Sequence, residues 1–398
     1  MTSTLRPATN GEVEDAVRWA VSAGEPLEVV GGGTKRSISP PTQAGYTLEV
    51  AGNAGIVAYE PEELVLTVRP GTTMDVLAEA LEEAGQMFAF EPPDLTALLG
   101  GEGAATFGGT YATNLSGPRR LSAGAVRDHM LGLAAVSGRG EPFKAGGRVV
   151  KNVTGYDLAR ALCGSWGTLA VATELTVKVL PRPQAETTVV LSGLEPAGAV
   201  AAMARAMGSP TDVSGAAHLP ADVARLVVSE AAAAATLLRV EGFGPSVAAR
   251  VHALVAMFEG VDVATVEADA SRAMWRAVRD ATPFVGTGGV VWRCSVAPSA
   301  GPTVAAAAPV GSRTYFDWAG GLVWIEAPAD GDGGATAIRG AVAAAGGGHA
   351  TLLRAPASLR ASVPTFQPAS DGLRALADRL RSAFDPQAIL NPGRMARA

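Results

Sequence analysis

Two cysteines, Cys163 and Cys294, are all that the 398 residues contain, far apart and without metal-ligand spacing. That scarcity excludes a disulfide scaffold and an iron–sulfur cluster held by this chain alone, and it points to a reduced, cytoplasmic protein. Positive charge is not in excess either: 32 Lys and Arg against 38 Asp and Glu leave a net charge of −6, contrary to the basic stripe of a nucleic-acid binder. No run approaches the ~18 apolar residues of a membrane span, and the opening MTSTLRPATNGEVEDAVRWA has no signal-peptide core. Membrane association is therefore expected only through a partner. Histidine is scarce as well, four in all, so few groups can serve as a general base.

Glycine is abundant, at 48 residues, against a usual frequency of ~7%. It is concentrated in loops such as LEVVGGGTKRSISPP, where Gly31, Gly32 and Gly33 follow an apolar run and precede Thr34, Lys35 and Arg36. Glycines at a strand end free backbone N–H groups to converge on an anion, and Thr, Lys and Arg complete such a cradle. Two familiar phosphate loops do not fit. A dinucleotide fingerprint needs a third glycine where Arg36 stands, and Pro40-Pro41 stop any following helix; a P-loop needs Gly-Lys followed by Ser or Thr, whereas the order here is Gly33-Thr34-Lys35.

The length suits two or three domains at roughly 150 residues each. Periodicity predicts a helix capped by Asn10 and closed by Gly24, with Val13, Val17, Ala20 and Val21 on one face, then strands at LEVV, YTLEV and LVLTV and a helix at TMDVLAEALEEAG. A glycine-dense block follows. It holds a strand HMLGLAAVSG, a polar loop, a short helix near GYDLARALCGS and a strand pair ending ELTVKVLP, and Pro181 and Pro183 mark a boundary. From about Gln184 the chain is alanine-rich, with strands at ETTVVLSG, TLLRVEGFG, GVVWRCSVAP and GLVWIEAP between helical stretches. Such alternation predicts an α+β domain with a largely antiparallel sheet.

The ordered motifs VVGGGTK, FGGTYATNLSGPRR, AVRDHMLGLAAVSGRG and GGRVVKNVTGYDLARALCGSWGTLAVATELTVKVLP, with FDPQAILNPGRM near the end, resemble the FAD-binding domain of the vanillyl-alcohol oxidase and para-cresol methylhydroxylase (PCMH) superfamily. Within it, they are most similar to the FAD-binding subunits of glycolate oxidase. The resemblance implies an α+β fold: a two-subdomain PCMH-type FAD-binding domain over residues 1–183 and a smaller cap domain over 184–398, whose closing FDPxxILNPGR segment returns to the FAD domain. It assigns the FAD pyrophosphate to Gly31, Gly32, Gly33, Thr34 and Lys35. A second contact run comprises Thr106, Gly108, Gly109, Ala112 and Asn114, with Gly117, Arg119 and Arg127 nearby, Val171 toward the adenine and Asn391 toward the flavin ring. Covalent relatives carry a histidine directly after the first glycines; Thr34-Lys35 stands there instead, which implies non-covalent FAD. Cys163, inside ARALCGSWG, reads as a small buried hydrophobe rather than a thiol link.

Oxidation of a 2-hydroxy acid needs a base for the hydroxyl proton and a cation for the carboxylate. Of the histidines, His129 sits where a strand begins, His218 reads as loop, and His252 lies on a helix with a packed or solvent-facing role. Only His349, with Arg354 five residues on, forms a candidate catalytic pair, and the His-rich motif of catalytic relatives is absent. The resemblance therefore implies a flavoprotein subunit of a glycolate oxidase complex. Its expected partners are a second FAD-binding catalytic subunit and an iron–sulfur subunit, and the substrate is a small 2-hydroxy acid. A self-sufficient FAD-dependent 2-hydroxy acid dehydrogenase and an assembly subunit that has lost flavin stay open as alternatives.

Overall fold

Among the described residues, short apolar runs bounded by glycine and proline become four sheets, the three larger of which place the two glycine loops side by side. The computed structural model describes residues 3–147 and 155–395; of the stretch expected as a polar loop after HMLGLAAVSG, Pro142–Gly146 forms a strand and 148–154 lie outside the described residues. A three-stranded parallel sheet is ordered Ser3–Leu5, Tyr46–Glu49, Leu27–Val30. The helix Asn10–Ala23 buries Val13, Val17 and Ala20 in a core shared with Leu27, Leu48, Val136 and Val171. Its cap is Thr9, not Asn10: the Thr9 hydroxyl accepts from the Glu12 N–H, while Asn10 Oδ1 accepts from Asn53 Nδ2 at 2.9 Å. Gly24 closes the helix at φ 66°, as a left-handed C-cap requires.

A second sheet is antiparallel, ordered Ile56–Glu60, Val65–Val68, Ala170–Lys178, Met130–Ser137, Pro142–Gly146. The helix Met74–Glu83 and the aromatic stack of Phe88, Phe90 and Phe107 cover it. From Ala185 the chain builds one eight-stranded antiparallel sheet, ordered Val263–Glu267, Ala185–Ser192, Ala235–Gly242, Val213–Leu219, Arg313–Asp317, Leu322–Ala327, Val290–Ser295, His349–Arg354. Helices Pro196–Met207, Gly244–Met257 and Ala335–Ala344 cover one face. The other face turns Tyr315 and Trp324 into a core joined by Trp275 of the helix Ala268–Arg279 and by Trp318, which also contains Ile38, Leu95, Leu98, Leu115 and Trp166. One continuous apolar seam thus joins the cap sheet to the glycine-rich half.

His218, expected in a loop, lies in the strand Val213–Leu219 and is fully buried. Its Nδ1 pairs with Thr236 Oγ1 at 3.0 Å. The end of the chain returns to the first half: Leu390 bridges Leu27 in parallel, and the Leu27 N–H donates to the Ile389 carbonyl at 2.7 Å. Asp385 anchors this return by accepting from the Ile389 and Leu390 N–H groups at 2.9 and 2.8 Å.

Candidate functional site

The strand Leu27–Val30 runs straight into Gly31-Gly32-Gly33, and the neighbouring loop sits hard against these glycines. A Cβ on Gly31 would stand 2.4 Å from Thr106 Oγ1, and one on Gly32 would stand 1.8 Å from the Ala104 carbonyl oxygen. Gly33 is different: its Cβ direction is open, but its φ of +75° favours glycine. Thr106 caps the helix Phe107–Thr113 by accepting from the Gly109 N–H, and Gly108 packs so closely on Pro70 that a Cβ would fall 2.7 Å from its side chain. Two glycine loops are therefore locked together by the side chains they lack.

Between them opens a cleft of about 860 Å³ lined by Gly31, Gly32, Gly33, Thr34, Lys35, Thr106, Gly108, Gly109, Ala112, Val171 and Asn391, all expected from the sequence. Arg36, offered by the sequence as part of the cradle, lines it too; Tyr111, Trp166 and Arg394 line it as well and were not expected. Among the described residues, the backbone N–H groups of Gly32, Gly33, Thr34 and Lys35 have no hydrogen-bond partner. Neither does the Lys35 ammonium, whose pKa burial lowers, with Asp94 offsetting part of that. The Arg394 guanidinium is buried, reaches only the Arg36 carbonyl at 3.4 Å, and leaves Nε unpartnered. Buried donors of this kind cost stability unless an acceptor meets them. A pyrophosphate, with about two negative charges and several acceptor oxygens, is such an acceptor, so the residues present fit FAD. Arg394 stands in the same FDPQAILNPGRM motif as Asn391 and was legible there as a cation three residues on.

Asn391 lines the cleft, yet its polar atoms are committed to the protein. Oδ1 accepts from the Val29 N–H at 2.8 Å and Nδ2 donates to the Trp166 carbonyl at 2.9 Å. It adopts φ 44°, a conformation that asparagine tolerates better than most residues. It acts as a brace between the first strand, the Trp166 turn and the chain end.

Four expected contacts lie away from the cleft lining. Asn114 accepts from the Arg127 N–H at 3.1 Å, and the Arg127 side chain is exposed. The Gly117 carbonyl accepts from Trp318 Nε1 at 3.0 Å. Arg119 turns to the seam, where it pairs with Glu91 at 2.9 Å and bidentately with Glu241 from the cap sheet. Arg239, 1% exposed, completes this network against Glu91 at 2.8 Å. Burial alone would raise the Glu91 carboxyl, but Arg239 and Arg119 hold it below its ordinary range. The network fastens the two halves together, and its charges are satisfied internally.

Among the described residues, no histidine, aspartate or glutamate lines the cleft. His349 is exposed at the start of its strand, and Arg354 at the far end, roughly 16 Å along at the usual rise. Arg354 is occupied by the carbonyls of Gly289 and Phe284 and by Thr287 and Glu326, so the expected pair does not converge. His129 is buried with Nε2 on the Ala123 carbonyl at 2.8 Å, and His252 is exposed on its helix. Cys163 is buried, its thiol facing the Tyr111 carbonyl at 3.2 Å, and burial pushes its pKa up to about 12. It is packed as expected and is no thiolate nucleophile.

A family model described as an FAD binding domain matches residues 2–146. Across nearly the whole chain the fold is similar to p-cresol methylhydroxylase with substrate bound, with a TM-score of 0.74 at 16% identity, covering 99% of this chain and 88% of that one. The 4-ethylphenol oxidase of Gulosibacter chungangensis in its isoeugenol complex is similar too, at a TM-score of 0.71 and 14% identity. The class is thus a flavoprotein with a PCMH-like fold and FAD as its cofactor. Full-length similarity narrows it: the glycolate oxidase subunit GlcE of Escherichia coli (strain K12) is 35% identical over 96% of this chain and 95% of its own length. The chain belongs to the GlcE family of glycolate oxidase subunits. It is also 36% identical to the glycolate oxidase subunit GlcD of Bacillus subtilis (strain 168), over 38% of this chain and 30% of that one. Among the described residues, no helix is long and apolar enough to cross a membrane.

Proposed function

We propose that this chain is the FAD-binding subunit of a glycolate-oxidising complex, holding the cofactor non-covalently in the cleft between its two glycine loops. Residues 1–183 with the returning FDPQAILNPGRM segment make the FAD-binding half, and the rest of 184–398 makes the cap. The observation that carries the assignment is the run of unpartnered N–H groups from Gly32 to Lys35, flanked by the unpaired ammonium of Lys35 and the guanidinium of Arg394. These groups would hold the pyrophosphate, Val171 would contact the adenine side, and Asn391 would keep the walls in register. FAD, when bound, supplies a two-electron acceptor. Thr34-Lys35 in place of a histidine after the glycines supports non-covalent attachment.

The partners are a second flavin subunit of the GlcD kind, which oxidises the 2-hydroxy acid, and an iron–sulfur subunit to take the electrons onward. The complex is cytoplasmic, and membrane contact comes through the partners. Among the described residues, no histidine, aspartate or glutamate lines the cleft, and this supports the division of labour, because proton removal normally contributes a factor of about 10²–10⁴. Anaerobic mixing of the FAD-loaded chain with glycolate tests it: flavin absorbance stays unchanged for the isolated chain and bleaches rapidly once the partner subunits are added. Rapid bleaching of the isolated chain would instead establish a self-sufficient dehydrogenase.

A further inference from the structure

Glu28 stands in the strand Leu27–Val30, just ahead of the first glycine loop. Alternation along that strand sends Leu27 into the core with Val13 and Leu48 and turns Glu28 to the opposite face, where it is only 6% exposed. A carboxylate in such a place is costly unless a cation meets it. Arg36, eight residues on and just past the loop, is that cation. Its Nε donates to Glu28 Oε1 at 2.7 Å and its Nη2 donates to Oε2, a bidentate fork. The Arg36 N–H also donates to the Gly33 carbonyl at 3.0 Å. The fork and this turn bond tie the two ends of the Gly31–Lys35 loop together, with the free N–H groups held between them.

The sequence offers the Arg36 side chain to an anion, but the structure spends it on Glu28. What Arg36 passes on is its carbonyl, which accepts from Arg394 Nη2 at 3.4 Å and leaves Arg394 Nε unpartnered. Glu28 acts on Arg394 too: burial lowers the pKa of that guanidinium, Glu28 offsets part of the effect, and Arg36 adds to it. Arg36 and Arg394 line the cleft, whereas Glu28 does not. Two effects of Glu28 on a bound pyrophosphate therefore oppose each other. Its charge repels the phosphates, and its fork orders the loop that receives them. The fork leaves the pair neutral overall, so the repulsion is weak at the distance of the cleft. Ordering the backbone of even one or two loop residues outweighs it.

We propose that Glu28 is a positioning residue for FAD: its fork with Arg36 holds the Gly31–Lys35 loop in the shape that the pyrophosphate requires, and the Arg36 carbonyl then sets Arg394 at the cleft. This inference rests on the FAD site described above.

Fluorescence titration of the flavin-depleted full chain with FAD, and with ADP as a competitor that keeps the pyrophosphate and lacks the flavin, tests the role. Glu28→Gln keeps the shape of the side chain and removes its charge. It is expected to weaken FAD and ADP alike, about 10- to 100-fold, at an unchanged circular dichroism spectrum. The Arg36 side chain is exposed, so Arg36→Gln reaches the same pair with little risk to folding and is expected to match that loss. The double variant should bind no more weakly than either single one, because the two residues act as one unit. If Glu28→Gln binds FAD as tightly as the wild type or more tightly while Arg36→Gln binds it more weakly, Arg36 meets the phosphates itself and the proposal is overturned. A lower thermal midpoint with unchanged ADP affinity in both single variants would overturn it as well, by leaving the pair a purely structural part. So would a loss confined to FAD, which would move the effect to the flavin end. A wild-type chain that binds neither FAD nor ADP would instead remove the cofactor site itself, and the positioning role with it.

Discussion

Gly32 shows how a glycine motif can be legible while its reason is not. The sequence marks the loop as a phosphate cradle and places the need for glycine at the phosphate. In the folded chain the space beside Gly32 is filled by protein, because the Ala104 carbonyl would meet a Cβ at 1.8 Å. Which backbone lies opposite a loop is decided by tertiary packing, and no local pattern announces it. Asn391 is similar: its position in the motif pointed to the cleft, and the structure spends its amide on Val29 and Trp166. Gly32→Val must push the two loops apart, so we expect FAD occupancy, read from absorbance at 450 nm against 280 nm, to fall to about a tenth or less while the cap stays folded. Full occupancy in that variant would show that the loops can separate without cost to the cofactor.

Elements were legible where apolar β-branched residues cluster. The strands Ala185–Ser192, Ala235–Gly242, Val290–Ser295 and Leu322–Ala327 all fall where the runs of Val, Leu, Ile and Trp predict them. The strands Val213–Leu219, Val263–Glu267, Arg313–Asp317 and His349–Arg354 were missed. VSGAAHL is built from small residues with weak strand preference, and only its neighbours in the sheet hold it extended. His218 was misplaced for the same reason, and its burial has a measurable consequence. Burial lowers its pKa from 6.5 to about 4, so the folded state favours the neutral ring. The stabilisation is complete above pH 6.5 and is lost as the pH falls toward 4, a change of about 2–3 kcal/mol. Denaturant unfolding at pH 7 and pH 4.5 should show a decline that His218→Leu largely abolishes. An identical decline in the variant would assign the acid sensitivity to other groups.

At the scale of the whole molecule, the order of motifs along the chain carries the proposed division into an FAD-binding half and a cap, and the closing motif pointed to a return of the chain end. Leu390 meets Leu27 across 363 positions of sequence, as the closing motif implies. Long-range charge pairing was not legible. Arg119 stands within a cofactor motif but pairs with Glu241 of the cap, and a one-dimensional pattern does not say which of two nearby anions an arginine will choose. Nor could five residues of spacing reveal that a strand would hold His349 and Arg354 apart. The proposed cofactor site is a cleft whose free donors suit a pyrophosphate and which, among the described residues, has no histidine on its wall. Acid precipitation of the purified yellow protein tests that claim most directly: all of the flavin should appear in the supernatant as intact FAD, at about one per chain. A colourless protein, or flavin that stays with the precipitated polypeptide, would contradict it.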